Sequence, residues 1–257
     1  MEQGLVFNFI SLLIVSAAII VMIQRARGGL DIQLRSIAGI DALEEAVGRA
    51  TEMGRIVHFS PGIAGLDGTT AAQTFAGLET LGYVAKLVAR YGARMIVTIR
   101  QPTVLPLAEE VVRQAYMAEG AIEAYDEDSV VYLSSEQFAY VAGAMGIINR
   151  EKAAANILLG GFWAESLMLV EAAFHVGAIS IAGTAMISQV PFFVAASDYT
   201  LIGEELYAAG AICSGNPIRL GSIAGQDYGK LYAMLILIVG ALATTAGSSV
   251  IRDLIAK

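Results

Sequence analysis

Two long uncharged apolar runs, one near each end of the chain, constrain this fold more than any other feature. Leu5 to Ile23 reads LVFNFISLLIVSAAIIVMI, and Leu231 to Ile251 reads LYAMLILIVGALATTAGSSVI. About 19 helical residues rise about 28 Å, close to the hydrocarbon thickness of a bilayer. A cleaved signal peptide competes for the first run, but it calls for positive charge before the apolar core. Here Glu2 precedes the run and Arg25 and Arg27 follow it. That is the charge order of an anchor whose following domain faces the cytoplasm. The second run has a strongly apolar front half and a back half of small residues, with Lys230 before it and Arg252 and Lys257 after it. It reads as a second span, with a buried C-terminal core helix as the alternative. Gly240 with Thr244, and Ala243 with Gly247, place small residues on one helix face, a pattern that lets backbones approach closely in lipid.

Composition agrees with a membrane protein. The 257 residues are 56% hydrophobic and 16% charged, against about 45–50% and about 25% in soluble domains. The net charge of -8 and the lack of any Lys/Arg run leave no basic face for nucleic acid. Cys213 is the sole cysteine, so neither an intrachain disulfide nor a cysteine-based zinc site can form. The expected organisation is an N-terminal transmembrane anchor over 1–28, a cytoplasmic α/β domain over 29–228, and a C-terminal transmembrane helix and tail over 229–257.

Between the apolar runs, short β-branched stretches alternate with longer helical ones. The predicted strands are Arg55–Phe59, Arg94–Ile99, Ser129–Leu133, Asn156–Phe162, Ala178–Ala182 and Pro191–Ala196. The predicted helices are 70–91, 102–119, 135–150, 164–176 and 200–211, with Gly92 and Gly120 as C-terminal stops. Asp41 reads as the N-cap of a further helix, ALEEAVGRATEM. The strands are continuous apolar runs, as in sheets covered on both faces. A mainly parallel, doubly wound, Rossmann-like sheet follows, flanked by the two transmembrane helices.

Ligands in such sheets bind beyond the carboxyl ends of the strands. After the first strand, Ser60 to Thr70 reads SPGIAGLDGTT. Gly62, Gly65, Gly68, Thr69 and Thr70 can offer backbone N–H groups and hydroxyls to an anion at a helix N-terminus, with Arg100 at the end of the second strand as a cationic partner. The spacing matches neither a Walker loop nor the dinucleotide fingerprint, so a tight strand-to-helix turn explains the same glycines. Three further clusters can share one crevice: Gly160-Gly161 with Trp163 and Glu165, Gly183-Thr184 with Gln189, and Ser197-Asp198-Tyr199-Thr200. Ser197 or Asp198 can alternatively cap the helix carrying Glu204 and Glu205. Glu171 and His175 share a face of an apolar helix and can form a carboxylate–imidazole pair, structural or functional. His58, inside a strand, reads as core. The residues define no metal site and point to no particular cofactor.

The stretch IAGTAMISQVPFFVAASDYTLIGEELYAAGAICSGNP, with GGFWAESLMLVEAA and FSPGIAGLDGTT, resembles an uncharacterised family of prokaryotic membrane proteins, a domain of unknown function. The resemblance implies a prokaryotic cell membrane and no activity. Weakly charged, Ala/Gly-rich helices such as Phe138–Ile148 point to a homo-oligomeric scaffold of membrane-anchored α/β domains. A membrane-anchored sensor or gating module for a nucleotide or other small anionic ligand is the alternative. A membrane-bound enzyme using Glu165, Asp198 or the Glu171/His175 pair comes third, because no recognisable nucleophile accompanies those carboxylates.

Overall fold

The computed structural model describes residues 3–30, 32 and 35–247. The chain divides into two compact units, 35–214 and the pair of segments 1–34 and 215–257. Helix α1 (Gln3–Arg27) opens the chain and is followed by α2 (Ala38–Met53). Then β1 (Ile56–Gly62), α3 (Ala71–Tyr91), β2 (Arg94–Ile99), α4 (Leu105–Ala118), β3 (Val130–Tyr132) and α5 (Gln137–Arg150) alternate. The alternation continues through β4 (Ala155–Gly161), α6 (Ser166–His175), β5 (Ile179–Thr184), α7 (Val190–Ala196), β6 (Tyr199–Ile202) and α8 (Glu204–Ser214), and α9 (Pro217–Thr245) follows.

All pairings within the sheet are parallel, and the strand order is β3-β2-β1-β4-β5-β6. This is the doubly wound order, with its reversal between β1 and β4. One face is covered by α2, α3, α4 and α8 through Val57, Phe59, Val97, Ile157 and Ile181; the other is covered by α5, α6 and α7 through Ile56, Leu158, Ala182, Phe162 and Phe193. Each of these Val, Ile, Leu and Phe side chains, fully buried, contributes about 1.5–3 kcal/mol. The period-two alternation of strand side chains then assigns His58, Ser60, Thr98, Asn156 and Ser180 to the face under α5–α7.

Three expectations need correction. Pro191–Ala196 is not a strand but most of α7: Pro191 sits in the first turn, where its missing N–H costs nothing. The sixth strand is Tyr199–Ile202, so Thr200 is sheet rather than helix start, and α8 begins only at Glu204 after the left-handed Gly203. Asp41 does not cap α2. The helix starts at Ala38, and Asp41 lies in its first turn, accepting a hydrogen bond from the Ser36 hydroxyl at 2.5 Å.

In the other unit, Leu5–Arg27 and Pro217–Thr245 are long and apolar enough to cross a membrane, with mean hydropathies of 2.7 and 1.5. α9 starts well before the apolar run read from the sequence, capped by Asn216, whose side-chain oxygen accepts from the Ile218 N–H. Its early turns hold Arg219, Asp227 and Lys230, which conceal the helix from a hydropathy reading. The two helices pack antiparallel. A Cβ added at Gly221 would lie 2.7 Å from Ile23 Cα, one at Gly225 2.5 Å from Ile19 Cα, and one at Gly229 3.2 Å from Val15 Cγ1. At Gly221 and Gly225 only glycine permits that approach, and a Ser11–Tyr232 hydroxyl bond of 3.0 Å extends the seam. The small residues against α1 are thus upstream of the expected Gly240/Thr244 and Ala243/Gly247 pairs, and Thr244 donates back to Gly240 O within α9. Glu2, the end of the second apolar run from 248 to 251, Arg252 and Lys257 lie outside the described residues.

Candidate functional site

The polar strand residues meet under α5. The Asn156 amide oxygen can only accept, so His58 Nδ1 donates to it at 2.6 Å. His58 Nε2 therefore carries no proton and accepts from the Thr98 hydroxyl at 3.0 Å. Thr98 in turn accepts from Tyr140 at 3.1 Å, Tyr140 from Ser60 at 2.7 Å, and Ser60 from the Gly62 N–H at 3.2 Å. This polarity gives every hydroxyl and both ring nitrogens in the row a partner. All five side chains are fully buried. Burial pushes the His58 imidazole down to about 4 against a raising hydrogen bond from Asn156, so the ring is neutral. Burial likewise raises the Tyr140 phenol, opposed by its bonds to Ser60 and Thr98. Asn156 Nδ2 and Ser180 Oγ, at paired positions on β4 and β5, have no partner among the described residues.

Glu165, one residue before α6, is also fully buried. Its two oxygens accept from Gln137 Nε2 at 2.5 Å and from the Trp163 N–H at 2.8 Å. Arg100 Nη1 donates to Ile63 O at 3.0 Å, which ties the end of β2 to the loop after β1. In that loop Gly62 and Gly68 have positive φ, and Gly65 O accepts from the Thr74 hydroxyl at 2.9 Å. Thr70 precedes α3 without a side-chain cap. At the switch point between β1 and β4 the backbones nearly touch: a Cβ at Gly160 would lie 1.9 Å from Pro61 O, and Ile63 N–H donates to Gly161 O at 2.9 Å. The glycines at this point are thus required by the close approach of two paired strands.

The three expected clusters do not share one crevice. Thr184 reaches Gln73 Oε1 at 3.2 Å, and Gln189 Oε1 accepts from Ser166 at 2.9 Å, both beyond the strand ends. Ser197 and Asp198 instead precede β6, because the preceding segment is helical, and so lie at the starting ends of the strands. Neither caps α8: Ser197 donates to Phe193 O, and Asp198 accepts from the Ser180 N–H at 2.8 Å. Asp198 borders a cleft of about 580 Å³ at the starts of β5 and β6, with Glu45, Arg49, Phe174 and Tyr199. Glu171 and His175 do pair, at 3.6 Å, but on an exposed face with side chains 63% and 66% accessible. That pair is a solvated i,i+4 contact rather than a buried one. Among the described residues no group of three or more His, Cys, Asp or Glu side chains could hold a metal ion.

Sequence reasoning overlooked Thr98, Tyr140 and Asn156. For Thr98 and Asn156, polar residues at alternate positions of otherwise apolar strands were the available signal; Tyr140 lies on α5 and has no such pattern.

Comparison with known proteins adds the family: the chain belongs to the domain of unknown function DUF6754, matched over residues 1–255. No curated protein and no solved structure matches the chain.

Proposed function

We propose that this member of the family is a membrane-anchored subunit of a homo-oligomeric scaffold in a prokaryotic cell membrane, with α1 and α9 as its anchor and the α/β unit on the cytoplasmic side. The observation that carries this reading is the outer surface of the α5–α6–α7 layer. Phe138, Leu167, Phe174, Phe192 and Val194 on those helices, and Ile187 just before α7, all stand exposed, with Phe174 and Ile187 at 74% and 88%. Large apolar side chains left exposed along one layer point to a contact surface on a protein. The anchor is supported by the outward Leu12, Leu13, Leu235 and Leu237 of the hairpin, and the orientation by Arg25 and Arg27 in the last turn of α1.

The sensor and enzyme readings rest on groups that are largely engaged, although Arg100 Nε has no partner among the described residues. Arg100 is bonded to Ile63 O, and both Glu165 oxygens are bonded. Native mass spectrometry of the full chain in mild detergent tests the proposal. The wild type is expected as a multimer, and the Phe174→Asp/Ile187→Asp variant should have fewer subunits, with association weakened at least about tenfold, or about 1.4 kcal/mol. A monomeric wild type would sink the reading.

A further inference from the structure

The glycine seam makes depth along one helix readable from the other. Four residues up α9 from Gly221 correspond to four residues down α1 from Ile23, through Gly225 against Ile19 and Gly229 against Val15. Continued by one residue, this register sets Lys230 level with Ile14, and it sets Asp227 level with Ala17. Ile14 is the midpoint of the uncharged stretch from Leu5 to Ile23. A bilayer centred on the apolar length of α1, the more apolar of the two helices, and not on the Leu231–Ile251 run of α9, has Asp227 and Lys230 near its midplane. The two form an ion pair at 2.8 Å, with side chains 56% and 43% exposed on the hairpin. At about 100° per residue they lie about 200° and 140° around α9 from Gly225, on the side away from α1. Met234, Leu237 and Ala241 continue that side. A single charge at the bilayer centre costs about 2.5–3.5 kcal/mol on insertion scales, and such groups as a rule face protein or water rather than lipid.

We infer that the face of α9 bearing Gln226, Asp227 and Lys230 is the contact with α9 of a second copy inside the membrane; this rests on the reading of the chain as a membrane-anchored homo-oligomer. The face is self-complementary. An acid and a base one turn apart meet the base and acid of a symmetry-related neighbour, so one intrahelical pair becomes a closed network of four charges. Lipid tails offer no such partners, and α1 of the same chain occupies the opposite side.

Full-length Asp227→Lys and Lys230→Asp variants, extracted in mild detergent and weighed by native mass spectrometry, test the contact. Each alone carries like charges on this face and should lose at least about nine-tenths of the intersubunit contact, a tenfold weakening of about 1.4 kcal/mol. Co-expression of the two should restore mixed oligomers, and the double exchange D227K/K230D should restore homo-oligomers. The neutral pair Asp227→Asn/Lys230→Gln, which inserts at no greater cost than the wild type, should also associate more weakly. Wild-type association in the single or neutral variants, or no restoration on co-expression, would overturn the contact while leaving the assembly standing. So would labelling of Met234→Cys by a membrane-impermeant maleimide in the assembled protein, since it would show a water-filled path in place of a helix. A monomeric wild type would overturn the assembly and this contact together.

Discussion

At the residue scale, His58 gives the α/β unit a pH dependence whose sign follows from its burial. Its ordinary value is 6.5 and its folded value is about 4. Between these limits the unfolded chain binds a proton that the folded chain refuses, so stability is complete above pH 6.5. It declines as pH falls from 6.5 toward 4, with a total loss of about 3 kcal/mol, and levels off below that. Urea denaturation of the full chain in detergent, followed through the lone Trp163, should show this slope. His58→Gln should flatten it while lowering stability at neutral pH by about 1–3 kcal/mol, because Asn156 and Thr98 lose their buried partner. An unchanged slope in that variant would show that the acid sensitivity arises elsewhere. The row around His58 was only partly legible in the sequence. The spacing of His58 and Ser60 assigns both to one face of β1, but Thr98, Asn156 and Tyr140 join them only through a strand order and register that no local pattern encodes. Glu165 was visible as a strand-end carboxylate; that Gln137 would bond it was not, since the two meet only when α5 packs beside α6.

At the element scale, the hairpin seam is open to a direct chemical check. A Cβ at Gly229 would stand 4.0 Å from Val15 Cβ, within the span of a relaxed disulfide. The Val15→Cys/Gly229→Cys variant should therefore cross-link within one chain under mild oxidation. Adding Gly225→Ile, whose side chain would meet Ile19 Cα, should reduce the yield several-fold, to roughly a third or less. Equal yields with and without that change would mean that the helices do not depend on the glycine approach. The native Cys213 should not interfere, because burial pushes its thiol up to about 12. Most elements were legible because each carries a local physical signature: apolar runs for strands buried on both faces, and a left-handed glycine closing α2, α3 and the turn after α4. The exceptions have the same physical origin. PFFVAA and YTLI are short apolar runs that fit helix or strand equally well until a proline at the start of one and a glycine after the other are weighed. The polar opening of α9 hid fourteen residues of helix, from Pro217 to Lys230, and with them the seam.

At the scale of the whole molecule, the chain behaves as two bodies, and the 35–214 unit contains both apolar clusters of the sheet. Expressed alone, residues 35–214 should fold and unfold cooperatively in the absence of detergent, with Trp163 reporting one transition; a fragment that stays soluble only in detergent would show that the core depends on the hairpin. The same fragment should self-associate through the α5–α7 surface and lose that association with Phe174→Asp/Ile187→Asp. The sheet sets a boundary on how such copies can meet. Its outermost strands are β3, with three residues, and β6, with four. Edges that short expose few unpaired main-chain groups and give an incoming strand almost nothing to template on. In the proposed assembly, joining of subunits would therefore fall to side chains on helices, whose geometry a single substitution can alter, and not to open-ended main-chain pairing. Units crowded together in the proposed membrane assembly would associate and separate without the sheet seeding a fibre.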